Sequence, residues 1–153
     1  MNVWRLIAHH NEPEKAILWS QRRSQIAIGW GIIGDLRQSA PQDGTEIAAM
    51  IRQERPDLNN AHLGGPGLWR FYSEMAIGDL VILSDGKRRR AVMCVTGDYE
   101  WTDAPQPGLP GMYFHQRSVR RAEDDPNDLW ERSGAGPARG ESIRWTLVRC
   151  AKP

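Results

Sequence analysis

Trp30 stands between Gly29 and Gly31, at the point where the alternating apolar run of Ile26 and Ile28 stops. A second run, from Val95 through Gly97, Asp98 and Tyr99 to Trp101, finishes in the same way. Rings at the ends of two strands can wall a narrow cleft, and glycines beside them let backbone come close to a guest. Such a cleft would stack on a flat, weakly polar molecule, and a nucleic-acid base fits that description. Core packing is the plainer use of any single tryptophan. What sets this pair apart is its place at strand ends beside glycine.

Other chemistries find less support. Gly29, Gly31 and Gly34 match G-x-G-x-x-G after a strand, but Pro41 breaks the helix that a dinucleotide site needs. The stretch about 20 residues on, where a ribose-binding acid would end a second strand, reads as helix. His9 and His10 are adjacent, and His62 and His115 are isolated, so no metal-ligand spacing exists. Asp35, Asp79, Asp98 and Asp103 form no readable carboxylate pair, and no G-x-S-x-G motif is present. The expectation is a non-catalytic domain without metal or cofactor. A small enzyme or small-molecule binder using Asp35 or Asp98 as an acid–base group is the alternative. Cys94 and Cys150 belong to no C-x-x-C pair and read as buried free thiols.

At 153 residues the chain suits one domain, 1–153, with a single sizeable core. No apolar run approaches the ~20 residues of a membrane span, and Met1-Asn2-Val3-Trp4-Arg5 lacks a signal-peptide core, so a cytoplasmic protein without membrane contact is expected. The net charge is only +1, yet the cations are 17 Arg against 3 Lys. Arginine is the better planar ligand for phosphate. It clusters at Arg22 and Arg23, at Lys87 with Arg88, Arg89 and Arg90, and at Arg117, Arg120 and Arg121. A solvated hairpin tip is the plain reading of the second cluster. Together the three could form a phosphate track.

The elements that would hold these residues follow from pattern. Period-two alternation predicts strands over 3–9, 25–30, 80–84, 90–101, 113–121 and 143–150. Pro13 opens a helix to about 22, and Asp43 caps one that runs to about 54 before Pro56. Gly64-Gly65-Pro66-Gly67 reads as the start of a helix over 68–75, and Asp85-Gly86 as a hairpin. Residues 122–142 read as an irregular insertion with one helical turn near Leu129 and Trp130. Trp4 and Trp145 are expected in the core, and Trp69 at the edge of an apolar helical stripe. These elements predict an α+β domain: a strongly bent sheet or small β-barrel of about six strands, flanked by two or three helices.

With Ile28-Gly29-Trp30-Gly31-x-x-Gly34-Asp35-Leu36, then Trp69-Arg70-Phe71-Tyr72-Ser73-Glu74-Met75, then Val95-Thr96-Gly97-Asp98-Tyr99, the chain resembles the EVE-type branch of the PUA-like superfamily. Met75-x-x-Gly78-Asp79-x-Val81 is the most specific piece. The YTH readers of methyladenine are relatives in that fold. The resemblance covers roughly residues 3–121, although an early Ser-x-Pro of better-known EVE proteins is absent. It implies a PUA-like, EVE-like barrel whose pocket accepts a modified base flipped from its strand, as in modification-dependent restriction. Trp30 and Trp101 fall where cage tryptophans lie, and His10 and Asn11 fall at the polar end of the first strand. The implied pocket draws also on Tyr99, Gly31, Ile33, Asp35, Asp98 and Trp69. Asn11, Asp35 or Asp98 would read the base edge. Phosphate contacts are expected from Arg22, Arg23, Arg37 and Arg70, from Lys87, Arg88, Arg89 and Arg90, and from Arg117. The implied ligand is duplex DNA carrying methylcytosine or methyladenine, with RNA as the alternative. A nuclease activity would sit in a partner or a fused domain.

Overall fold

The structure, a computed structural model, describes residues 1–134 and 146–150. Strand β1 (Val3–Ile7) leads through helix α1 (Pro13–Arg23) to β2 (Gln25–Ile28). A 3-10 turn (Gly31–Ile33), α2 (Leu36–Ser39), α3 (Gly44–Glu54) and α4 (Ala61–Trp69) follow, and α4 runs on into a π turn (Arg70–Glu74). Then come β3 (Leu80–Ser84), β4 (Arg89–Trp101), β5 (His115–Arg121), α5 (Pro126–Arg132) and β6 (Leu147–Cys150). The predicted insertion therefore carries a two-turn helix. Residues 135–142, and Ile143 and Trp145 of the predicted last strand, lie outside the described residues.

The six strands form one mixed sheet in the order β2-β5-β4-β3-β1-β6, with β2 and β6 at its edges. This α+β sheet is open, which corrects the expectation of a closed barrel. Only β1 and β3 run parallel; the other neighbouring pairs are antiparallel. Helices cover both faces. Trp4, Leu6, Ile26, Ile28, Val81, Leu83 and Met93 pack against α3, α4 and the π turn. The alternating residues Val3, Ile82 and Val92 meet Leu129 and Trp130 of α5, while Ala8 and Ala27 meet Ile17 and Trp19 of α1. No helix among the described residues is long and apolar enough to cross a membrane.

Helix α4 begins seven residues ahead of its predicted start and includes Gly64, Gly65, Pro66 and Gly67. Local propensity opposes this, since Pro66 cannot donate to the His62 carbonyl and glycine is a weak helix former. Packing decides it: a Cβ on Gly65 would come within 2.4 Å of the Gly44 carbonyl oxygen and 2.9 Å of the Ala48 amide nitrogen. Without side chains there, α3 and α4 press together and bury Ile47, Ile51 and Leu68 completely.

The Gly78-Asp79 turn explains the start of β3. The buried Asp79 carboxylate accepts from the Asn2 amide, the Trp4 indole and the Ala76 amide, each at 2.9 Å. One anion thus closes the turn into β3 and pins the parallel strand β1 beside it. Asp79→Ala orphans three donors, one on β1 and one on the residue just before it, and should cost roughly 3 kcal/mol or more, since each unsatisfied buried group costs about 1–3 kcal/mol. Asp79→Asn, which keeps one acceptor oxygen, should cost less. Urea unfolding followed by circular dichroism checks the ranking.

Candidate functional site: an aromatic cleft at the exit of β2

After β1 the chain turns on His9, which is buried. Its Nδ1 accepts from the Asn11 and Glu12 amides at 3.0 and 2.9 Å, so the ring proton sits on Nε2 and is donated to the Pro110 carbonyl at 2.9 Å. The imidazole stacks on Tyr113 at 4.3 Å and 19°. His10 hydrogen-bonds through Nε2 with the Thr146 hydroxyl at 2.8 Å. Burial, then the neighbouring His9 and Arg5, hold the His10 pKa below its usual value.

At the exit of β2 the backbone of Trp30 turns left-handed, with φ 67°. That conformation costs a bulky residue roughly 1–2 kcal/mol. Three contacts hold it. The Trp30 carbonyl accepts from His115 Nε2 at 3.0 Å. The indole lies against Gly64, where a Cβ would stand 2.4 Å from the ring nitrogen. The next amide, Gly31, donates to the Met112 carbonyl at 2.9 Å.

His115 is fully buried, and its protonation follows from its partners. With Nε2 donating to Trp30, Nδ1 must accept from the Tyr99 hydroxyl at 2.7 Å, and that hydroxyl accepts in turn from the Leu36 amide at 3.1 Å. Donation therefore runs one way, from Leu36 through Tyr99 and His115 to Trp30. Burial drives the His115 pKa down to about 4, against opposition from the Trp30 hydrogen bond and the Asp35 charge. Burial likewise pushes the Tyr99 hydroxyl above the usual phenol range.

These elements enclose a cleft of about 580 Å³. Ile28, Gly29 and Trp30 form one side, with His10, Asn11 and Tyr113 beside them. Arg55, Asn60, Leu63, Gly64 and Gly67 come from α3, α4 and the turn between them, and Thr146 completes the lining. Among the described residues, three rings (His10, Trp30 and Tyr113), two carboxamides and a guanidinium belong to the lining, and no carboxylate does. Asn60 stands at the N-cap of α4 without a side-chain cap bond. Asn11 contributes only its backbone amide to the His9 turn. Arg55 is gripped by Asp57 through two hydrogen bonds of 3.0 and 2.8 Å.

Of the expected pocket residues, the structure brings Trp30, His10 and Asn11 to this cleft. The others lie elsewhere. Trp101 packs edge-on against Phe114, with centroids 5.5 Å apart, and 5.2 Å from the buried His115 ring, which follows from its pairing with His115 across the sheet. Tyr99 is buried and spent on the hydrogen-bond chain. Gly31 and Ile33 belong to the 3-10 turn, Gly31 buried against Met112 and Phe114 and Ile33 packed on the main core. Asp35 caps α2 and holds Arg37 at 3.1 Å. Burial alone would raise its pKa, but the hydrogen bonds from Arg37 outweigh that and keep it low. Asp98 is exposed at a bulge of β4. Trp69 lines a separate hollow of about 370 Å³ with Arg52, His62 and Arg70.

Several of the expected phosphate ligands are engaged within the protein, and others are exposed. Arg117 is buried, and its guanidinium donates to the carbonyls of Phe71, Gly97 and Tyr72 at 2.8, 3.0 and 3.2 Å. It stitches the π turn to the β4 bulge. Arg70 donates to the Leu147 carbonyl at 3.0 Å, and Arg37 spans Asp35 and the Tyr99 ring. In the hairpin, Arg90 bridges Glu14 and Asp85, Arg89 lies 4.4 Å over Trp130 and donates to Asn127, and Arg88 stands 3.9 Å from Asp85. Lys87 is exposed at the tip. Arg22 and Arg23 are exposed at the end of α1, where the Val119–Ser24 hydrogen bond brings them beside Arg120 and Arg121.

Sequence reasoning missed Tyr113, Asn60, Arg55 and Thr146. Tyr113 carried a signal, an aromatic after Pro105, Pro107, Pro110 and Gly111, two residues ahead of β5. An open mixed sheet with an aromatic cleft at one strand exit defines the class of this domain. The chain belongs to a family described as Domain of unknown function (DUF8426), matched over residues 4–131, which takes in every lining residue of the cleft except Thr146. No curated protein matches it.

The buried His115 gives the domain a pH signature. Between the ordinary value of 6.5 and the folded value of about 4, the unfolded chain binds the extra proton. Stability is therefore full above pH 6.5 and falls as pH drops through this window. The slope is at most ~1.4 kcal/mol per pH unit and the total about 3 kcal/mol. His115→Gln should flatten the slope between pH 6.5 and 4 relative to the parent, as read from urea midpoints at each pH.

Proposed function

We propose that this domain is a non-catalytic reader of DNA, related to the EVE-type branch of the PUA-like superfamily. It takes a modified, most simply methylated, cytosine or adenine flipped from the duplex into the cleft of Trp30 and Tyr113. One observation carries this reading: the rings of Trp30 and Tyr113 line the same cleft as two carboxamides left unpartnered among the described residues. Stacking contributes on the order of 1–3 kcal/mol per base, and a buried methyl adds ~0.8 kcal/mol. A carboxamide offers a donor beside an acceptor, matching the amino group and ring nitrogen that adenine and cytosine present side by side. The lining has no carboxylate among the described residues, which suits a neutral base. Flipping costs a few kcal/mol. The exposed Arg22, Arg23, Arg120 and Arg121 supply phosphate contacts that offset part of it. Cleavage, in this reading, belongs to a nuclease partner or another domain.

The internal pairing of Arg89 and Arg90 favours a second reading, a binder of free nucleosides in the same cleft. Titration at fixed salt separates the two, using duplexes with methylcytosine, methyladenine or no modification, an RNA of the same sequence, and the free nucleosides. The reader should prefer a modified duplex at least tenfold. Trp30→Ala and Tyr113→Ala should each abolish that preference, whereas Trp101→Phe should keep it. Nucleosides binding as tightly as oligonucleotides would favour the second reading, and RNA binding as tightly as DNA would make the domain an RNA module.

A further inference from the structure

Resting on the cleft as a holder of flipped bases, we propose that Ile32 and Met112 form an apolar wedge that fills the gap left in the duplex. Large apolar side chains exposed to solvent are few among the described residues, and these are two of the five, at 37% and 45% exposure. They come from segments 80 positions apart, yet the Gly31 amide donates to the Met112 carbonyl at 2.9 Å. The approach is so close that a Cβ on Gly31 would fall 2.4 Å from that carbonyl oxygen and 2.7 Å from the Phe114 ring. The two side chains are thus carried on a rigid, glycine-dependent junction rather than on independent loops.

Their neighbours supply the second argument. Met112 directly precedes Tyr113, and Ile32 lies two residues past Trp30, so each segment gives one ring to the cleft and one apolar side chain to solvent. Single exposed apolar residues are ordinary on a protein surface. Two of them carried on one junction, each within two residues of a ring that lines the cleft, are not scattered, although Met112 itself lines a separate hollow with Leu109 and Phe114. Extruding a base leaves its neighbours without a stacking partner. Isoleucine and methionine are among the side chains that enter such steps. The wedge would keep the vacated step from closing and so hold the base in the cleft.

The test compares wild type with Ile32→Ala/Met112→Ala on three DNA probes: a methylated duplex, the methylated single strand and a duplex with an abasic site. A single strand has no gap to fill. The double variant should bind the methylated duplex at least tenfold more weakly and the single strand unchanged. Wild type should prefer the abasic duplex to an intact unmodified one, and the variant should lose that preference. Equal losses on duplex and single strand, or no loss on either, would overturn the wedge. A wild type without methyl preference on any probe but with the abasic preference would sink the base-reading role of the cleft and leave the wedge standing. A wild type with neither preference would remove both. Thermal melting of the variant separates a loss of fold from a loss of contact.

Discussion

The buried imidazole of His115 is the constraint from which the cleft is built. It sits on β5, between Ile28 of β2 and Trp101 of β4, and its two nitrogens satisfy groups from opposite sides. One nitrogen holds the Trp30 carbonyl and the other takes the Tyr99 hydroxyl. A left-handed tryptophan persists only where its surroundings over-determine it. Here the hydrogen bond fixes its backbone, Gly64 receives its ring, and Gly31 fastens the next residue to the opposite loop. A wall held on three sides is preorganised, so little ordering remains to be done when a guest arrives.

How much of this could be read in advance depended on whether the cause was local. Period-two alternation in Ile26 and Ile28, the Asp43 cap and the Asp85-Gly86 turn are local signals, and their elements form where expected. The reach of α4 back through Gly64 and Pro66 was hidden, because its cause is the approach of Gly44 twenty residues earlier. The ends of β2 and β4 look alike in sequence, yet Trp30 opens on the cleft and Trp101 packs on its neighbours. The difference lies in Phe114 and His115, which register places beside Trp101. Arg117 looks like any surface arginine until the Phe71 and Tyr72 carbonyls are brought to it by the fold. Closure of a sheet is not a local property either, and open edges at β2 and β6 replace the expected barrel.

The arginines show how composition can mislead. Much of the basic run in the hairpin is a clasp, joining the β3–β4 connection to α1 through Glu14 and to α5 through Asn127 and Trp130. Four exposed arginines, Arg22, Arg23, Arg120 and Arg121, gather at the other end of β2, about 17 Å from Trp30 at ~3.3 Å per residue. At the cleft itself the one lining guanidinium among the described residues, Arg55, is held by Asp57.

The parallel pairing of β1 with β3 has a kinetic meaning. Asp79 bonds partners 77 and 75 positions away, so β1 docks only after a long loop has closed. His10 and Asn11 ride on the tail of β1, while Thr146 arrives with β6, which pairs with β1 alone. The cleft is therefore complete only once both long-range pairings of β1 are made. A ligand that needs it would slow unfolding far more than it hastens refolding, and its off-rate would report on the final docking step.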